Sequence, residues 1–310
     1  MKFFIGILMS MVAVCASAAE VISIVSPYTP AHKGHAAIYK ILEKANTSQQ
    51  QYTFILELKP GGAGVVALTS LDRSPNTSIG LIHASFVQNS IDGLIREENY
   101  VPISSLGDAC WFIVARSGDE HQGIKSLVGT NDRLVFGGVG IGSATQLTAL
   151  GLGLAIKKEV QFVPFQSAAD AGILLVGNNE VNLGIMPMND FESLHSRNNS
   201  LKRLAMHCPR RHPDAKWVAT TREQGVVSPY VFNTFVVSKE MPLTKQKELS
   251  AILDQAIVSV GSATILDISG FHPPVFDKVP VGKYHNERVL LFKEALTRHQ
   301  ADINKFKKGN

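Results

Sequence analysis

The chain has 310 residues, of which 45% are hydrophobic and 18% are charged, and its formal net charge is +4 at pH 7. This length can supply two lobes with separate cores, because single domains commonly contain about 100–200 residues. The small positive charge comes without a long basic run, which argues against a nucleic-acid-binding protein and is compatible with small anionic ligands.

The first 18 residues have the pattern of a secretory signal peptide. Lys2 precedes an apolar run at 3–14, and the sequence ASA at 16–18 is an A-x-A cleavage signal. The apolar run is shorter than the ~20 residues that a membrane-spanning helix needs. We therefore expect cleavage after Ala18 and a mature protein located in the periplasm.

Short apolar runs alternate with helical patterns along the first part of the mature chain. The pattern predicts strands at residues 21–25, 52–58, 78–84 and 110–117. Between the first two strands, apolar residues recur at the helical spacing i, i+3, i+4, i+7 from Ile38 to Ala45. A further helix is expected to follow the loop KPGGAG and to end at Arg73. Such alternation is typical of an α/β fold with mostly parallel sheets.

A second set of strand–helix units follows in the rest of the chain. Strands are predicted at residues 133–140, 160–165, 181–187, 201–208 and 230–238. Helices are expected to begin near Ser143, Ala168 and Phe191. The tail is predicted to be helical over residues 244–260, 263–269 and 283–306.

These elements predict two α/β lobes joined by crossover strands, with a ligand cleft between the lobes. The apolar strands at 110–117 and 230–238 lie where the chain can leave the first lobe and return to it. We therefore expect lobe one to contain residues 19–113 and 236–310, and lobe two to contain residues 114–235.

Two cysteines, Cys110 and Cys208, remain after removal of the signal peptide. An oxidising compartment permits a disulfide between them. Both residues lie in apolar, strand-like segments, and sequence spacing alone cannot establish the geometry that a disulfide requires. Buried free thiols are therefore the expectation.

The sequence lacks the common catalytic motifs, since it contains no G-x-S-x-G, S-x-x-K, H-E-x-x-H or C-x-x-C. The run GVGIG at 138–142 is similar to the start of a dinucleotide-binding fingerprint, but Ser143 replaces its third glycine. We therefore predict no catalytic residues, no cofactor and no covalent chemistry.

Six segments combine the end of a strand, a turn of small residues and the start of a helix. They are TPAHKGH, KPGGAG, HASF, GVGIGSAT, PFQSAAD and MPMNDF. The first turn of a helix presents unpaired N–H groups and a partial positive charge, and in α/β sheets these turns lie at the carboxyl ends of strands, where ligands bind. One such segment can be an ordinary connection, but six of them predict an anion site in the cleft.

The order of IVSPYTP, KPGGAG, GVGIGSATQL and VPFQSAADAGILLVGNNEVNLGI after a signal peptide resembles the solute-binding receptors of tripartite tricarboxylate transporters, the Bug family. The resemblance covers essentially the whole mature chain. It implies a two-lobed fold like that of type II periplasmic binding proteins, closing on a small organic carboxylate. It also implies delivery of the ligand to the membrane subunits of a transporter, and we expect a monomer.

The resemblance also implies which residues contact the ligand. Recognition in the family depends on backbone amides, hydroxyls and bridging waters at helix starts, and Ser85, Ser143 and Ser167 are the hydroxyls expected here. The implied positions in lobe one are Tyr28, Thr29, Lys33, Gly62, Ala63, Gly64, Ala84 and Ser85. Those in lobe two are Gly142, Ser143, Thr145, Phe165, Gln166, Ser167, Ala168 and Met186.

Three departures from the family pattern prevent the transfer of a particular ligand. The first loop of the family is usually a run of glycines ending in Thr-Asp, whereas this chain has AHKGH at 31–35. Gln146 stands where a histidine is common, and Leu174 replaces a common aspartate. Tyr28 and Phe165 keep an aromatic or apolar ligand possible.

The loop at 31–35 allows three interpretations. His32 and His35 could be half of a metal site, but a zinc site needs three or four protein ligands and only His83 is expected at the same level. Lys33 beside a helix start would instead add a positive charge to an anion site. The third interpretation is a solvated loop that points away from the cleft. We predict the anion site and no bound metal.

The sequence therefore predicts a periplasmic receptor that captures a small carboxylate by lobe closure for uptake through a tripartite tricarboxylate-type transporter. Two alternatives remain. One is a binding protein that serves signalling or metal capture. The other is a hydrolase on the same scaffold, which should have supplied an activated nucleophile or paired carboxylates.

Overall fold

The computed structural model describes residues 18–30, 32, 34–129, 133–139, 144–165, 175, 177, 181–212, 215–274 and 279–308. The signal peptide, apart from its last residue, lies outside this set, as do the expected helix start at Ala168 and the departure at Leu174.

Strands and helices alternate along the first part of the chain. Their order is β1 (Glu20–Ser26), α1 (Gly34–Ser48), β2 (Tyr52–Leu58), α2 (Val65–Arg73), β3 (Ser78–His83), α3 (Ser85–Ile91), β4 (Tyr100–Ala109) and β5 (Trp111–Arg116). The order then continues with β6 (Leu134–Val139), α4 (Ala144–Ile156), β7 (Val160–Phe165), β8 (Leu183–Met186), α5 (Met188–Asn198) and β9 (Leu201–His207). It ends with β10 (Phe232–Ser238), α6 (Leu243–Val260), α7 (Ser262–Ser269), β11 (Phe271–His272) and α8 (Val281–Lys308).

The first sheet has six strands among the described residues, in the order β11-β4-β10-β3-β1-β2. The neighbours β1, β2 and β3 pair in parallel. Strand β10, which comes from a much later part of the chain, runs antiparallel between β3 and β4. The carboxyl ends of β1 and β3 therefore lie at one edge of the sheet, beside the beginning of β10.

The second sheet has five described strands in the order β7-β6-β8-β5-β9. Strand β6 pairs in parallel with β7 and β8, whereas β5 runs antiparallel to both β8 and β9. The chain passes from the first sheet to the second at Cys110 and returns to the first sheet between His207 and Phe232. The lobe boundaries predicted from the sequence follow residues 113 and 235. The predicted two-lobed α/β fold is confirmed.

Strand β4 was not predicted from the sequence. Pro102 and Gly107 interrupt its pattern, and both residues are usually unfavourable inside strands. The structure accommodates them because the register between β4 and β10 shifts twice. Gly107 also has φ +94°, and a Cβ atom on it would lie 1.8 Å from the carbonyl oxygen of His272. Glycine is therefore required where β11 meets β4.

Each sheet is covered by helices that bury their apolar faces. The predicted face of α1 is confirmed, since Ile38, Ile41 and Ala45 are fully buried against the first sheet. Burial of one isoleucine or leucine side chain contributes about 1.5–3 kcal/mol. The core of the second sheet includes Phe136 and Leu152, from β6 and α4.

Cys110 and Cys208 form a disulfide, so the expectation of free thiols was wrong. The register of two antiparallel strands explains the bridge, because Trp111 of β5 lies opposite His207 of β9. The residues next to this pair, one before Trp111 and one after His207, are therefore brought face to face, with their Cα atoms 4.6 Å apart. The bridge joins the crossover between the sheets to the end of β9.

A buried ion pair fastens α8 to β4. Asp108, which is 3% exposed, accepts hydrogen bonds at Oδ1 from the Tyr284 hydroxyl at 2.8 Å and from Arg288 Nε at 2.7 Å. Its Oδ2 accepts a third hydrogen bond from the terminal nitrogen of Arg288 at 2.6 Å. A bidentate contact of this kind is strong because both partners are charged. We refer to the contact between Asp108 and Arg288 as the Asp108 ion pair; the hydroxyl of Tyr284 is its third donor.

In the described part of the chain, no single helix has both the length and the apolar composition needed to cross a membrane. The bent pair formed by α6 and α7, which meet at 82°, meets these requirements only when the two helices are taken together.

Candidate functional site

The candidate site lies at the carboxyl ends of β1 and β3. Strand β1 ends at Ser26 and leads to Tyr28, while β3 ends at His83. Asn233 of β10 is paired with His83 in the sheet register. The ends of neighbouring strands thus bring together residues from three distant parts of the sequence, at the edge where α/β sheets bind ligands.

Four rings from this edge pack against one another, and we call Tyr28, His32, His35 and His83 the ring cluster. The rings of Tyr28 and His32 are stacked with their centroids 3.7 Å apart, and the ring of His83 lies 5.2 Å from that of Tyr28. His35 meets His32 edge-on at 5.7 Å. His32 is therefore turned inward onto the strand ends.

Backbone bonds hold the loop in this conformation. The N–H of His32 donates to the carbonyl oxygen of Thr29 at 3.0 Å, and Nδ1 of His32 accepts from the N–H of Gly34 at 3.1 Å. A Cβ atom at Gly34 would lie 2.8 Å from the imidazole ring of His32. A side chain at position 34 would therefore displace the imidazole of His32 from this place. His35 Nε2 lies 3.0 Å from Ser26 Oγ, which fixes the first turn of the helix.

The hydroxyl of Tyr28 donates a short hydrogen bond to Oδ1 of Asn233. Asn233 is completely buried, and its Nδ2 has no hydrogen-bond partner among the described residues. Buried amide groups are nearly always hydrogen-bonded in native proteins. The amide nitrogen of Asn233 is therefore a donor that lacks an acceptor beside the ring cluster.

The turn at 61–64 lies next to His83 of the ring cluster. Its backbone is left-handed from Gly61 to Gly64, including Ala63 with φ 49°. Asn89 Nδ2 donates to the carbonyl oxygen of Ala63 at 3.0 Å and holds the turn against α3. A Cβ atom on Gly64 would lie 3.8 Å from Nε2 of His83, so this nitrogen faces the side-chain-free part of the turn.

The ring cluster is uncharged at neutral pH. Burial and, to a smaller extent, the proximity of His35 and His83 lower the pKa of His32 to about 4. Burial lowers the pKa of His83 to about 4 and also lowers the pKa of His35. Burial raises the pKa of the Tyr28 hydroxyl, despite its hydrogen bond to Asn233. The site therefore offers neutral hydrogen-bond donors and apolar ring surfaces.

The other positions expected in lobe one surround these rings. Thr29 is exposed and contributes its carbonyl oxygen to the loop. Gly62 belongs to the left-handed turn. Ala84 and Ser85 are buried at the start of α3, where the N–H of Ser85 donates to Nδ1 of His83 at 3.2 Å. Lys33 lies outside the described residues.

Three of the positions expected in lobe two are described. Thr145 is buried in the first turn of α4, Phe165 is half-buried at the end of β7, and Met186 is buried at the end of β8. Because β6, β7 and β8 are parallel neighbours, these residues lie at one edge of the second sheet. The remaining expected positions, Gly142, Ser143, Gln166, Ser167 and Ala168, lie outside the described residues.

His32 lies in the loop that was expected to form the anion site, whereas His83 and Asn233 were not among the expected ligand-binding positions. His83 carried a signal, since it ends a strand two residues before a helix and was expected at the level of His32. Asn233 carried none, because only the antiparallel pairing of β10 with β3 brings it to the site. In the described part of the chain, no group of three or more His, Cys, Asp or Glu side chains is arranged to hold a metal ion.

No family model matches the chain, and no curated protein matches it in sequence. Solved structures do match it. A TctC solute-binding protein from Polaromonas, determined without a ligand, superposes with a TM-score of 0.75 at 18% sequence identity. The match covers 90% of this chain and 98% of that chain.

Two further solved structures have the same fold. MatC from Rhodopseudomonas palustris with bound malate gives a TM-score of 0.65 at 17% identity, covering 89% of this chain and 99% of that one. The periplasmic binding protein BugD gives 0.63 at 20% identity, covering 89% and 97%. The resemblance to the Bug receptors is confirmed at the level of the fold: the chain has the two-lobed α/β fold of these solute-binding proteins.

Proposed function

We propose that the protein is a periplasmic receptor that captures a small organic carboxylate between its lobes and delivers it to the membrane subunits of a tripartite tricarboxylate-type transporter. The observation that carries the proposal is the ring cluster with Asn233, which gathers uncharged donors at the ligand-binding edge of the first sheet. The malate bound to MatC, a protein of the same fold, supports the choice of a carboxylate.

The proposed mechanism is lobe closure without covalent chemistry. The first lobe supplies the ring cluster and the turn at 61–64, and the second lobe supplies the edge formed by Thr145, Phe165 and Met186. A ligand that contacts both edges binds the closed form more tightly than the open form, and this difference in affinity shifts the population toward closure. Lys33, Ser143 and Ser167 remain proposed contacts, as do the other expected positions around them.

The domain boundaries and the export of the protein belong to the same proposal. We propose that the signal peptide is cleaved after Ala18 and that the mature protein is a monomer. We also propose that the lobes divide at Cys110, where the chain passes from β4 to β5. The disulfide at this crossover suits an oxidising compartment.

The proposal is tested by thermal-shift screening of the mature protein against carboxylates, amines, sugars and metal salts, followed by calorimetry with each hit. We expect carboxylates alone to raise the melting temperature, because a ligand that binds only the folded state stabilises it. Stabilisation by amines, sugars or metals without any effect of acids would contradict the proposal. A matched pair of variants locates the site: Tyr28→Phe should weaken binding, whereas Tyr39→Phe on the exposed face of α1 should not.

Delivery is tested separately, in vesicles that contain the membrane subunits of such a transporter. Uptake of the labelled acid should depend on added receptor. Tight binding without receptor-dependent uptake would favour the signalling role that the sequence left open.

A further inference from the structure

His32 and His83 make the same local hydrogen bond, although they come from different strands. In each case Nδ1 accepts from the backbone N–H two residues further along, that of Gly34 for His32 and that of Ser85 for His83. A ring nitrogen that accepts a hydrogen bond carries no proton, so a neutral imidazole must carry its proton on the other nitrogen. Both rings are therefore fixed as the tautomer with the proton on Nε2.

The two Nε2–H groups are available for a ligand. Neither nitrogen has a hydrogen-bond partner among the described residues, and Nε2 of His83 faces Gly64, which has no side chain. The centroids of both imidazoles lie within 5.2 Å of the centroid of Tyr28. Both imidazoles therefore stack on the same tyrosine ring at the carboxyl ends of β1 and β3.

Asn233, the hydrogen-bond partner of Tyr28, adds a third donor. Its Oδ1 accepts a hydrogen bond from the hydroxyl of Tyr28. Its Nδ2 is buried and has no acceptor among the described residues. An unpaired buried donor lowers stability, and its presence beside two further free donors indicates that an acceptor group belongs here.

The surroundings keep these donors neutral. Among the described residues, the rings that pack against His32 are those of Tyr28, His35 and Phe271, and His83 is near enough to lower its pKa; none of these four is a carboxylate. A proton on Nδ1 would also point at the backbone N–H that now donates to this nitrogen, and the hydrogen bond would be lost. A neutral imidazole that donates from Nε2 is the form that this packing allows.

We propose that His32 and His83 bind the ligand by donating hydrogen bonds from Nε2–H, as neutral imidazoles, to carboxylate oxygens, with Asn233 Nδ2 as the third donor. This inference rests on the proposed function and adds how the acid is recognised in the first lobe. Recognition then depends on the directions of uncharged donors, so the affinity should not rise as the pH falls from about 8 to about 6.

Substitution can separate the two nitrogens of each ring. In asparagine the amide lies near the position of Nδ1, so His32→Asn and His83→Asn keep an acceptor for the backbone N–H but lose the donor. In glutamine the amide reaches the position of Nε2, so the Gln variants keep the donor and lose the acceptor. His195→Asn is the control, because His195 lies on α5 and its Nδ1 is 3.0 Å from the carbonyl oxygen of Leu201.

Calorimetry with the best carboxylate from the screen should show a loss of affinity of about tenfold or more for each Asn variant, since each loses a hydrogen bond to a charged group. The Gln variants should lose less affinity, and His195→Asn should bind as the wild type does. Unchanged affinity in both Asn variants overturns the inference while leaving the proposed function intact.

Nitrogen-15 NMR of the imidazoles provides a readout that does not depend on how the variants fold. His32 and His83 should show the Nε2–H tautomer with and without the acid, and His195 should show the Nδ1–H tautomer. A cationic imidazole or an Nδ1–H tautomer at His32 and His83 in the complex overturns the inference. If no acid binds the wild type, the proposed function and this inference fail together.

Discussion

The ring cluster and the Asp108 ion pair lie close together on the first sheet, but they treat buried polar groups in opposite ways. Asn233 is on β10, and Asp108 is on the neighbouring strand β4, opposite Phe232. Both oxygens of Asp108 accept hydrogen bonds from Tyr284 and Arg288. In the ring cluster, the amide nitrogen of Asn233 lacks an acceptor among the described residues.

The difference separates a structural contact from a candidate binding site. A polar group whose partners are all present stabilises the fold, whereas a buried donor without an acceptor lowers stability until a partner arrives. Changes in the Asp108 ion pair should therefore affect stability and leave recognition alone. Changes in the ring cluster should weaken recognition, and they should lower stability only where they leave a further buried group unpaired.

The largest effect is expected from Asp108→Asn. This change leaves the guanidinium group of Arg288 half-buried without its carboxylate, and breaking a buried ion pair on one side costs about 3–5 kcal/mol. Urea unfolding should show this loss in the free energy of unfolding. Glu192→Gln removes the carboxylate of the more exposed pair with Arg203 and should change the same quantity little. Equal losses in the two variants would contradict the assignment of Asp108 as a structural anchor.

The next effect is that of the disulfide. The bridge joins residues 98 positions apart, and it restricts the unfolded chain in a way that is typically worth about 2–4 kcal/mol. The Cys110→Ser/Cys208→Ser variant should lose stability by this amount in urea and should still bind the acid, because the bridge lies outside the ring cluster. A reducing agent should destabilise the wild type and have no effect on the double variant. A double variant that is as stable as the wild type would show that the bridge contributes nothing.

Acid should destabilise the protein because its buried histidines bind protons more weakly when it is folded. His285 allows the contribution of one such residue to be measured. This residue is 7% exposed between Phe86 and Phe232, and burial lowers its pKa from 6.5 to about 4. Between these values the unfolded chain binds a proton that the folded chain does not. The free energy of unfolding is therefore unaffected by the titration of His285 above about pH 6.5. It falls as the pH decreases toward 4, by up to about 3 kcal/mol.

His285→Phe removes this titration and keeps a ring in the same position. Unfolding free energies measured by urea between about pH 7.5 and pH 4.5 should fall less steeply for the variant than for the wild type. Parallel pH profiles would mean that His285 does not titrate differently in the two states.

The smallest change in the free energy of unfolding is expected for a double substitution at the ring cluster. Tyr28→Phe/Asn233→Leu removes both partners of one hydrogen bond together with the unpaired amide nitrogen. Replacing both partners by apolar groups of similar shape should leave the free energy of unfolding within about 1 kcal/mol of the wild-type value. Affinity for the acid, measured by calorimetry, should nevertheless fall. The single variant Tyr28→Phe is the control, since it leaves Oδ1 of Asn233 without its donor and should be less stable than the pair.

Local patterns predicted much of the fold. The spacing of Ile38, Ile41 and Ala45 was sufficient for α1, because the buried face of a helix depends on a period that a short segment contains. The strand–turn–helix segments likewise indicated the parallel strands and the edge where Tyr28 and His83 meet. Strand β4 was missed because Pro102 and Gly107 are tolerated only through shifts in its register with β10.

The contacts that the sequence did not reveal depend on long-range register. Cys110 and Cys208 meet because Trp111 lies opposite His207, and no spacing rule contains that pairing. Asn233 reaches Tyr28 through the antiparallel alignment of β10 with β3. The tautomers of His32 and His83 follow from hydrogen bonds whose direction only the folded loop defines.

Strand β10 comes late in the sequence but lies in the middle of the first sheet, and this has a consequence for the order of folding. Tyr28 and Asn233 are 205 positions apart in sequence, so a very long segment must be closed before the first sheet is continuous. Until then β3 and β4 have no strand between them, and their unpaired edges are exposed to association with other chains. The second sheet lies within the closed segment and can form earlier. We therefore expect the ring cluster and its amide partner to be among the last parts of the molecule to assemble.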